Sequence, residues 1–460
     1  MFDDATNVAP AEAVPPAPVM EPAMVQSTPP AVATSSTKAI SNLQQAIAIG
    51  VVSNPEYSAV ANNRRATDEE LTQAKALYLP SIDSRLDGGW ERSNNPSTRG
   101  DLDGKDTETH SKYDGSLTLT QMLFDGGETH YENERQRHRV RSAAHRVKET
   151  AEFVGLDITE SYLDVLRQRE LLNIARENVA QHDEILRMIT DGAEAGRSTD
   201  ADVEQARARL ASANALIANN EESLRIAEAA YRREVGEFPG ALEKPLAPTG
   251  TLSSNVDDQV KMTLAQSPTL DIREADVNVT EAEWKATHSA FYPQVDLQVN
   301  GRKANDLGGV EGNDTSTSAL MVMNWNLYRG GGDVARTREA VYRQAQAKDE
   351  RNNTARQVED NVRQTWARMI SAEERAKQFE LQAEANAVIV KAYLDQFNLD
   401  RRTLLDVLDA QNEWFVSRSN AISSRYLQTF AVYRLLALKG GLLPNFSVPY
   451  PSEVVLNDKK

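Results

Sequence analysis

The chain has 460 residues, a formal net charge of −17 and no cysteine. The excess of acidic residues argues against nucleic acid and anionic membrane surfaces as partners. Without cysteine there is no disulfide, no thiol chemistry and no acceptor for an N-terminal lipid. No segment approaches the roughly 18 consecutive apolar residues of a membrane-spanning helix, so the sequence predicts none.

The N-terminal segment, residues 1–38, is rich in Pro, Ala, Val, Ser and Thr and contains seven of the 18 prolines. This composition predicts an extended or disordered segment. The segment lacks the basic start and the apolar stretch of a secretory signal peptide. For an exported protein, we therefore expect that a signal peptide has been removed or that the start is misassigned.

The rest of the sequence is internally duplicated. Four short motifs recur, two at an offset of 213 positions and two at an offset of 204: Asn54-Pro55 with Ser267-Pro268, Leu79-Pro80 with Tyr292-Pro293, Leu123–Gly127 with Leu327–Gly331, and Asp202-Val203 with Asp406-Val407. The nine-residue difference predicts one shorter loop in the second copy. Internal repetition is stronger evidence of architecture than any local motif.

We place the first repeat at residues 39–235 and the second at 258–440. Each is predicted to contain a helix, two strands and then two long helices. Residues 236–257 form the linker between the repeats, and residues 441–460 form a C-terminal tail.

Long helices are predicted where proline is missing, because proline breaks helix interiors. No proline occurs from Ser97 to Phe238 or from Gln294 to Leu443. The stretch from Glu128 to about Thr190 would form a helix of roughly 95 Å. After it, a heptad stripe predicts coiled-coil packing: Val203, Ala206, Leu210, Ala213, Ile217, Asn220, Leu224, Ala227 and Tyr231. Taken alone, the stripe fits a soluble coiled-coil rod equally well.

Two segments, about 81–124 and 294–328, alternate apolar and polar residues, which predicts two strands in each, with one apolar and one polar face. Each strand has about ten residues, the length that crosses a bilayer when tilted. Aromatic residues lie near the strand ends, as membrane-interface aromatics do: Trp90, Tyr113, Trp325 and Tyr328. The soluble alternative is a small sandwich at the end of a rod, with tryptophan in its core.

Four strands cannot enclose a pore, and a membrane does not tolerate open sheet edges. A membrane protein of this kind therefore has to oligomerise, so that several chains contribute strands to one closed barrel. Three copies would give twelve strands, but composition alone does not determine that number.

The sequence contains no pattern typical of an enzyme. Its six histidines include no i, i+4 pair that could bind a metal. The run Gly330-Gly331-Gly332 follows a predicted strand and matches Gly126-Gly127, so we interpret it as a strand-to-helix turn rather than a phosphate-binding loop. We predict no enzymatic activity, no cofactor and no metal site.

The run from Phe397 to Ala410, Phe-Asn-Leu-Asp-Arg-Arg-Thr-Leu-Leu-Asp-Val-Leu-Asp-Ala, resembles the inner periplasmic turn of the TolC family of outer-membrane channel-tunnels. That family is also duplicated, with Leu-Pro before a strand and Gly-Gly after a hairpin, and the resemblance covers about residues 40–440. It implies a homotrimer with a twelve-stranded barrel in outer-membrane lipid, continuous with a twelve-helix periplasmic tunnel. It also implies a mixed equatorial belt at residues 236–257 and 441–460.

The resemblance further implies a passive exit duct that works with a periplasmic adaptor (a membrane fusion protein) and an inner-membrane transporter. We expect type I secretion of proteins, driven by an ATP-binding-cassette (ABC) transporter. The alternative is efflux of small molecules by a proton-driven RND pump. A soluble coiled-coil scaffold or adaptor is a more remote alternative, because adaptors of these systems typically carry one helical hairpin rather than two repeats.

Acidic residues follow the second tip turn. Asp406 and Asp409 are three residues apart and share one helix face. Threefold symmetry would arrange them as two carboxylate layers, which select or bind cations or acquire raised pKa values. The alternative is a solvated, charged helix end. The tip turns contain Gly196 in the first repeat and Asp400 and Thr403 in the second, where Asp400 replaces the turn glycine Gly196.

The resemblance also implies a latch that closes the tunnel, formed by Phe397 and Arg402 of the inner hairpin with Asp202 of the outer hairpin. Phe397 lacks the hydroxyl of the tyrosine that the family often has at this position, so its part in the latch is a departure from the family pattern. The competing interpretation is a local pair between Arg402 and Asp406 within one helix end.

Overall fold

The structure, a computed structural model, describes residues 40–94, 96, 108–309, 311–399 and 401–455. The predictions for the N-terminal segment 1–38 and for Asp400 fall outside these described residues, as does the end of the C-terminal tail.

The two repeats contain the same order of helices and strands. In the first repeat these are α1 (Leu43–Ser53), α2 (Pro55–Ala76), β1 (Ser81–Ser93), β2 (Glu108–Phe124), α3 (Glu128–Glu194) and α4 (Asp200–Val235). In the second they are α5 (Val256–Gln266), α6 (Pro268–Ala286), β3 (Gln294–Asn305), β4 (Asn313–Asn324), α7 (Gly332–Phe397) and α8 (Leu404–Lys439), followed by α9 (Leu442–Asn445). α1, α2 and β1 recur as α5, α6 and β3 at the offset of 213, and α3 and α4 recur as α7 and α8 at the offset of 204. The structure is therefore duplicated like the sequence.

The duplicated motifs lie at the ends of helices. The Asn54 side chain accepts a hydrogen bond from the Glu56 N–H at 2.8 Å and caps α2. Pro55 occupies the first helical position, where a backbone N–H would make no hydrogen bond within the helix, so proline is tolerated there. Gly127 and Gly331 have φ values of 91° and 81° immediately before α3 and α7. This left-handed conformation favours glycine, which explains why the Gly-Gly motif marks both strand-to-helix turns.

The long helices are arranged as two hairpins. α3 has 67 residues and α7 has 66, which corresponds to about 100 Å each. α4 packs along α3, and α8 along α7. The predicted heptad stripe of α4 is buried or half-buried throughout, with Ala206, Ala213, Ala227 and Tyr231 buried. Across the described part of the chain, no helix carries an apolar stretch long enough to span a bilayer.

The largest apolar core lies where α1, α3, α4, α8 and α9 meet. Its fully buried side chains include Ile47, Ile158, Tyr162, Tyr433 and Leu442. A separate group of buried residues, which we call the tip cluster, joins the end of α3 to the beginnings of α4 and α8: Ile185, Ile189, Ala206, Leu404, Val407 and Leu408. The tip cluster holds together the hairpin ends that lie at the opposite end of α3 from the strands.

The four predicted strands form one antiparallel sheet in the order β1-β2-β3-β4. Within the described residues, β1 and β4 each have one edge that pairs with no strand. The last strand ends at Asn324 rather than at about residue 328 as predicted. The corresponding end of β2 pairs with β3, whereas no strand among the described residues lies beside the outer edge of β4, so its last residues have no neighbouring strand to pair with.

Candidate functional site

One face of the sheet is apolar and exposed in the single chain. The register places Ile82, Leu119, Val299 and Ala319 side by side across all four strands. Further along this face, the Leu86 side chain is 84% exposed. A continuous apolar surface of this kind is typical of a contact with protein or membrane, not of a face left in water.

The opposite face is polar, and its side chains are connected across strands. Asn300 Nδ2 of β3 donates to Thr118 Oγ1 of β2 at 2.7 Å. Arg302 donates two hydrogen bonds to the Asp114 carboxylate, one of them from Nε at 2.9 Å. The alternation of this face with the apolar one is the pattern of strands that separate lipid from an aqueous lumen.

The four predicted interface aromatics lie at the two ends of the sheet. Trp90 and Tyr113, at the end away from the long helices, are 83% and 64% exposed, and Trp325 and Tyr328, which precede α7, are 53% and 84% exposed. Trp90 therefore does not fill a sandwich core. Between the aromatic residues at one end of the sheet and those at the other, the strands have about 11 residues, a length of about 37 Å. If the strands were tilted by about 45°, this length would span a height of about 26 Å. That height fits the apolar band of about 25 Å in membrane barrels, although membrane contact by these aromatics stays a prediction.

At both hairpin tips the second helix begins with the same capping box. The Asp202 carboxylate accepts the N–H and the hydroxyl of Thr199 at 3.0 and 2.7 Å, and the Asp202 N–H donates back to that hydroxyl at 3.2 Å. Thr403 and Asp406 repeat the arrangement at 3.3, 2.8 and 3.3 Å. Gly196, with φ of 72°, lies in the first tip turn. Neither box was predicted, although Thr-x-x-Asp at a helix start is its signature.

Asp406 and Asp409 both lie near the start of α8, and each has a partner in the single chain. The hydroxyl and the N–H of Thr403 hold the pKa of Asp406 below its usual range. This shift is opposite to the rise expected from crowded carboxylates, so the capping box favours an ionised Asp406. Arg209 of α4 pairs with Asp409, with 3.1 Å between Nη2 and Oδ1. A ring of these acids requires neighbouring chains and stays a prediction.

Arg402 makes local contacts in the single chain. Its Nε donates to Gln396 Oε1 at 3.1 Å, and its Nη1 lies 3.8 Å from the Asp406 carboxylate. Among the described residues, Arg402 and Asp202 do not form an ion pair with each other. The structure therefore contains the local pair that competed with the latch, and the latch stays a prediction about contacts in an assembly.

The aromatic ring that Arg402 meets is that of Tyr393, whose centroid lies 4.1 Å from the guanidinium carbon. Phe397 is instead half-buried against the tip cluster. Tyr393 was missed in the sequence. It precedes Phe397 by four residues, so both rings lie on the same side of α7, and that spacing could have identified it.

Comparison with known proteins agrees with this geometry. The model of the outer membrane efflux protein family matches residues 50–237 and 260–441. The chain is 24% identical to the outer membrane efflux protein BepC of Brucella suis, over 82% of this chain and 80% of BepC. It is 23% identical to the alkaline protease secretion protein AprF of Pseudomonas aeruginosa, over 86% of this chain and 83% of AprF. Its fold is similar to the solved structure of CusC, with a TM-score of 0.76 and 17% identity, covering 87% of this chain and 92% of CusC. The two ranges matched by the family model largely coincide with the two structural repeats, and the chain belongs to the outer membrane efflux protein family.

Proposed function

We propose that three copies of the chain form a channel-tunnel, the passive exit duct of a tripartite export system in the bacterial outer membrane. The observation that carries this proposal is a sheet with an exposed apolar face and two unpaired edges, joined to helices about 100 Å long. Unpaired backbone groups are costly in a bilayer, so further strands have to seal those edges. Twelve strands from three chains would close a barrel, and the helices would extend from it into the periplasm.

The contact between the two repeats provides a template for the contact between chains. Within the chain β2 pairs with β3, and the duplication makes β4 the counterpart of β2 and β1 the counterpart of β3. Both hairpins have the same register, because Ser81 opposite Thr120 corresponds to Gln294 opposite Asn324. We therefore infer that β4 of one chain pairs with β1 of the next in the register of β2 with β3.

For the transported substrate we favour secreted proteins, handled by a type I system with an ABC transporter and a periplasmic adaptor that meets the helix tips. The tip motif and the likeness to a protease secretion protein support this route. The likeness to an efflux protein supports the alternative, a small-molecule pump with an RND transporter. The neighbouring genes distinguish the two: an ABC transporter and an adaptor beside a large repetitive exoprotein indicate secretion, and an RND pump indicates efflux.

The proposed channel is tested by conductance in planar lipid bilayers. We expect the purified protein to conduct ions, to prefer cations and to be blocked by multivalent cations, because rings of Asp406 and Asp409 would concentrate negative charge at the narrow end. In the Asp406→Asn/Asp409→Asn variant, both the preference and the block should fall several-fold. The amide oxygen that replaces the Asp406 carboxylate still accepts a hydrogen bond from Thr403, so the helix start is preserved.

The control for this series is Asp200→Asn, which removes an exposed acid from the first turn of α4 and leaves the proposed latch residue Asp202 unchanged. It should leave cation preference close to that of the wild type. A protein that forms no channel would contradict the proposed function. A channel whose selectivity and block are unchanged in the double variant would contradict only the acid ring.

We also propose that Arg402 holds the tip closed through Asp202 of the outer hairpin in the assembled trimer. Exposed ion pairs contribute roughly 0.2–1 kcal/mol each, so three copies stabilise the closed state by only a few kcal/mol. Arg402→Ser is therefore expected to raise basal conductance in bilayers. Arg401→Ser, an exposed neighbour in the same turn, is the control. Equal basal conductance of wild type and Arg402→Ser would count against the latch.

A further inference from the structure

A fully buried carboxyl group fastens the C-terminal segment, residues 441–455, to the middle of α3. The Glu152 side chain has no exposed surface. Its Oε2 accepts the Leu442 N–H at 2.8 Å, and its Oε1 accepts the Leu443 N–H at 3.3 Å. The Tyr450 hydroxyl also forms a hydrogen bond with Oε1. One side chain thus contacts both the start of α9 and Tyr450, which lies beyond the end of α9.

The hydrogen atoms available in this cluster indicate the ionisation state of Glu152. The Tyr450 hydroxyl has one hydrogen, but it lies within hydrogen-bond distance of two oxygens, Glu152 Oε1 and the Gly440 carbonyl at 2.8 Å. If Glu152 were ionised, one of these contacts would join two acceptors with no hydrogen between them. A protonated Glu152 donates to Tyr450, and Tyr450 then donates to Gly440, which satisfies every oxygen.

The surroundings of Glu152 agree with a neutral acid. Burial raises its pKa to about 7, and this effect outweighs the hydrogen bonds from Tyr450, Leu442 and Leu443 and the charge of Lys148, which all oppose the rise. The next turn of α3 is surrounded by apolar side chains of α1 and α9: Ile47, Leu442 and Leu443. The other acid of the segment, Glu453, is bound by Arg65 of α2 at 2.6 Å and has its pKa lowered.

We propose that Glu152 carries a proton in the folded protein at mildly acidic pH and that this proton fastens the C-terminal segment to α3, so that the segment loosens as the pH rises through neutrality. The direction of the pH effect follows from the raised pKa of Glu152. An acid that is more easily protonated in the folded protein than in the unfolded chain stabilises the fold at low pH, and this stabilisation is lost as the pH rises through about 7. The first repeat alone contains this acid, since the counterpart of Glu152 at the offset of 204 is Arg356, which is exposed in the single chain.

Hydrogen exchange of the amides in residues 441–455, measured on the full-length protein in detergent, tests the proposal. After correction for intrinsic exchange rates, wild-type protection should fall by about tenfold between about pH 6 and about pH 8. Glu152→Gln should show the same protection at both values, because its amide does not ionise; its nitrogen donates to Tyr450 and its oxygen accepts from Leu442, while the Leu443 N–H loses its acceptor. Tyr450→Phe should lose protection at both.

The control is Glu453→Gln, which removes the other acid of the segment and should keep the wild-type pH dependence. The proposal is overturned if wild-type protection is the same at both pH values, if Glu152→Gln retains the wild-type dependence, or if Tyr450→Phe is as protected as the wild type. None of these outcomes depends on whether the protein conducts.

A spectroscopic measurement covers the case in which the variants do not fold. Infrared spectra of the protein carrying Asp157→Asn should show a protonated carboxyl band near pH 6 that disappears as the pH rises past about 7. The background substitution is needed because burial and the neighbouring Glu234 raise the pKa of Asp157 to about 6. Absence of the band would overturn the proposal.

Discussion

A short thiol cross-linker is expected to convert the Gly89→Cys/Leu320→Cys variant into covalent trimers. In the sheet, Ser116 of β2 lies opposite Arg302 of β3. The offsets of the duplication turn this pair into Leu320 of one chain and Gly89 of the next. Residues directly opposite each other in antiparallel strands have Cβ atoms about 4.5–5.5 Å apart, within reach of such a reagent. A denaturing gel should show a band of three chains replacing nearly all of the single-chain band.

The chain is well suited to this experiment. It contains no cysteine of its own, and a Cβ added at Gly89 meets no atom within 4 Å. The matched control is Gly89→Cys/Met321→Cys. Met321 is the next residue of β4, and its side chain points to the opposite face of the sheet. Only the first variant should cross-link. Linkage of the control instead would show a different register, and monomers in both variants would contradict the trimer.

Gly126→Ala is expected to lower stability more than the same change at a turn glycine that has open space around it. Gly126 has φ of 70°, where a residue with a side chain costs about 1–2 kcal/mol. Its added Cβ would also lie 2.8 Å from the Tyr292 Cβ and 2.9 Å from the Ser289 carbonyl oxygen. Since backbone has to move to relieve that contact, about 1–3 kcal/mol is added to the loss in free energy of unfolding.

The control for Gly126→Ala is Gly196→Ala, with φ of 72° but no atom within 4 Å of the added Cβ. The midpoint of thermal unfolding in detergent should fall clearly further for the first variant than for the second. Similar midpoints would mean that the packing of the turn against the second repeat contributes little.

Gly330→Ala tests the equivalent turn of the second repeat. Its Cβ is free in the single chain, so a loss seen only in the trimer would indicate a contact with the neighbouring chain like that of Gly126.

The features that could be predicted from the sequence are local or periodic. The absence of proline predicted a long helix from Glu128 to about Thr190, and α3 ends at Glu194, just before Gly196. Period-two alternation predicted the four strands, because a strand exposes its two faces in turn. The end of β4 was wrong since strand length there depends on pairing with a neighbour, which no local pattern encodes.

The contacts that could not be predicted join residues far apart in the chain. Arg209 meets Asp409 across 200 positions, and Glu152 meets Leu442 across 290. A heptad pattern indicates which side of a helix is apolar, but not which turn of another helix lies opposite. That alignment is determined by the packing of whole helices about 100 Å long, so the partners of single polar residues become visible only in the structure.

The duplication also has a consequence for how the two halves have diverged. If a chain of half this length formed a ring of six identical subunits, each substitution would appear at all six equivalent positions. No two of these positions could then differ in residue or contacts. Fusion of two such halves relaxes that constraint. In the single chain, Glu152 is buried in one half, while its counterpart Arg356 is exposed in the other. In the proposed trimer, the contacts within a chain and the contacts between chains can therefore differ.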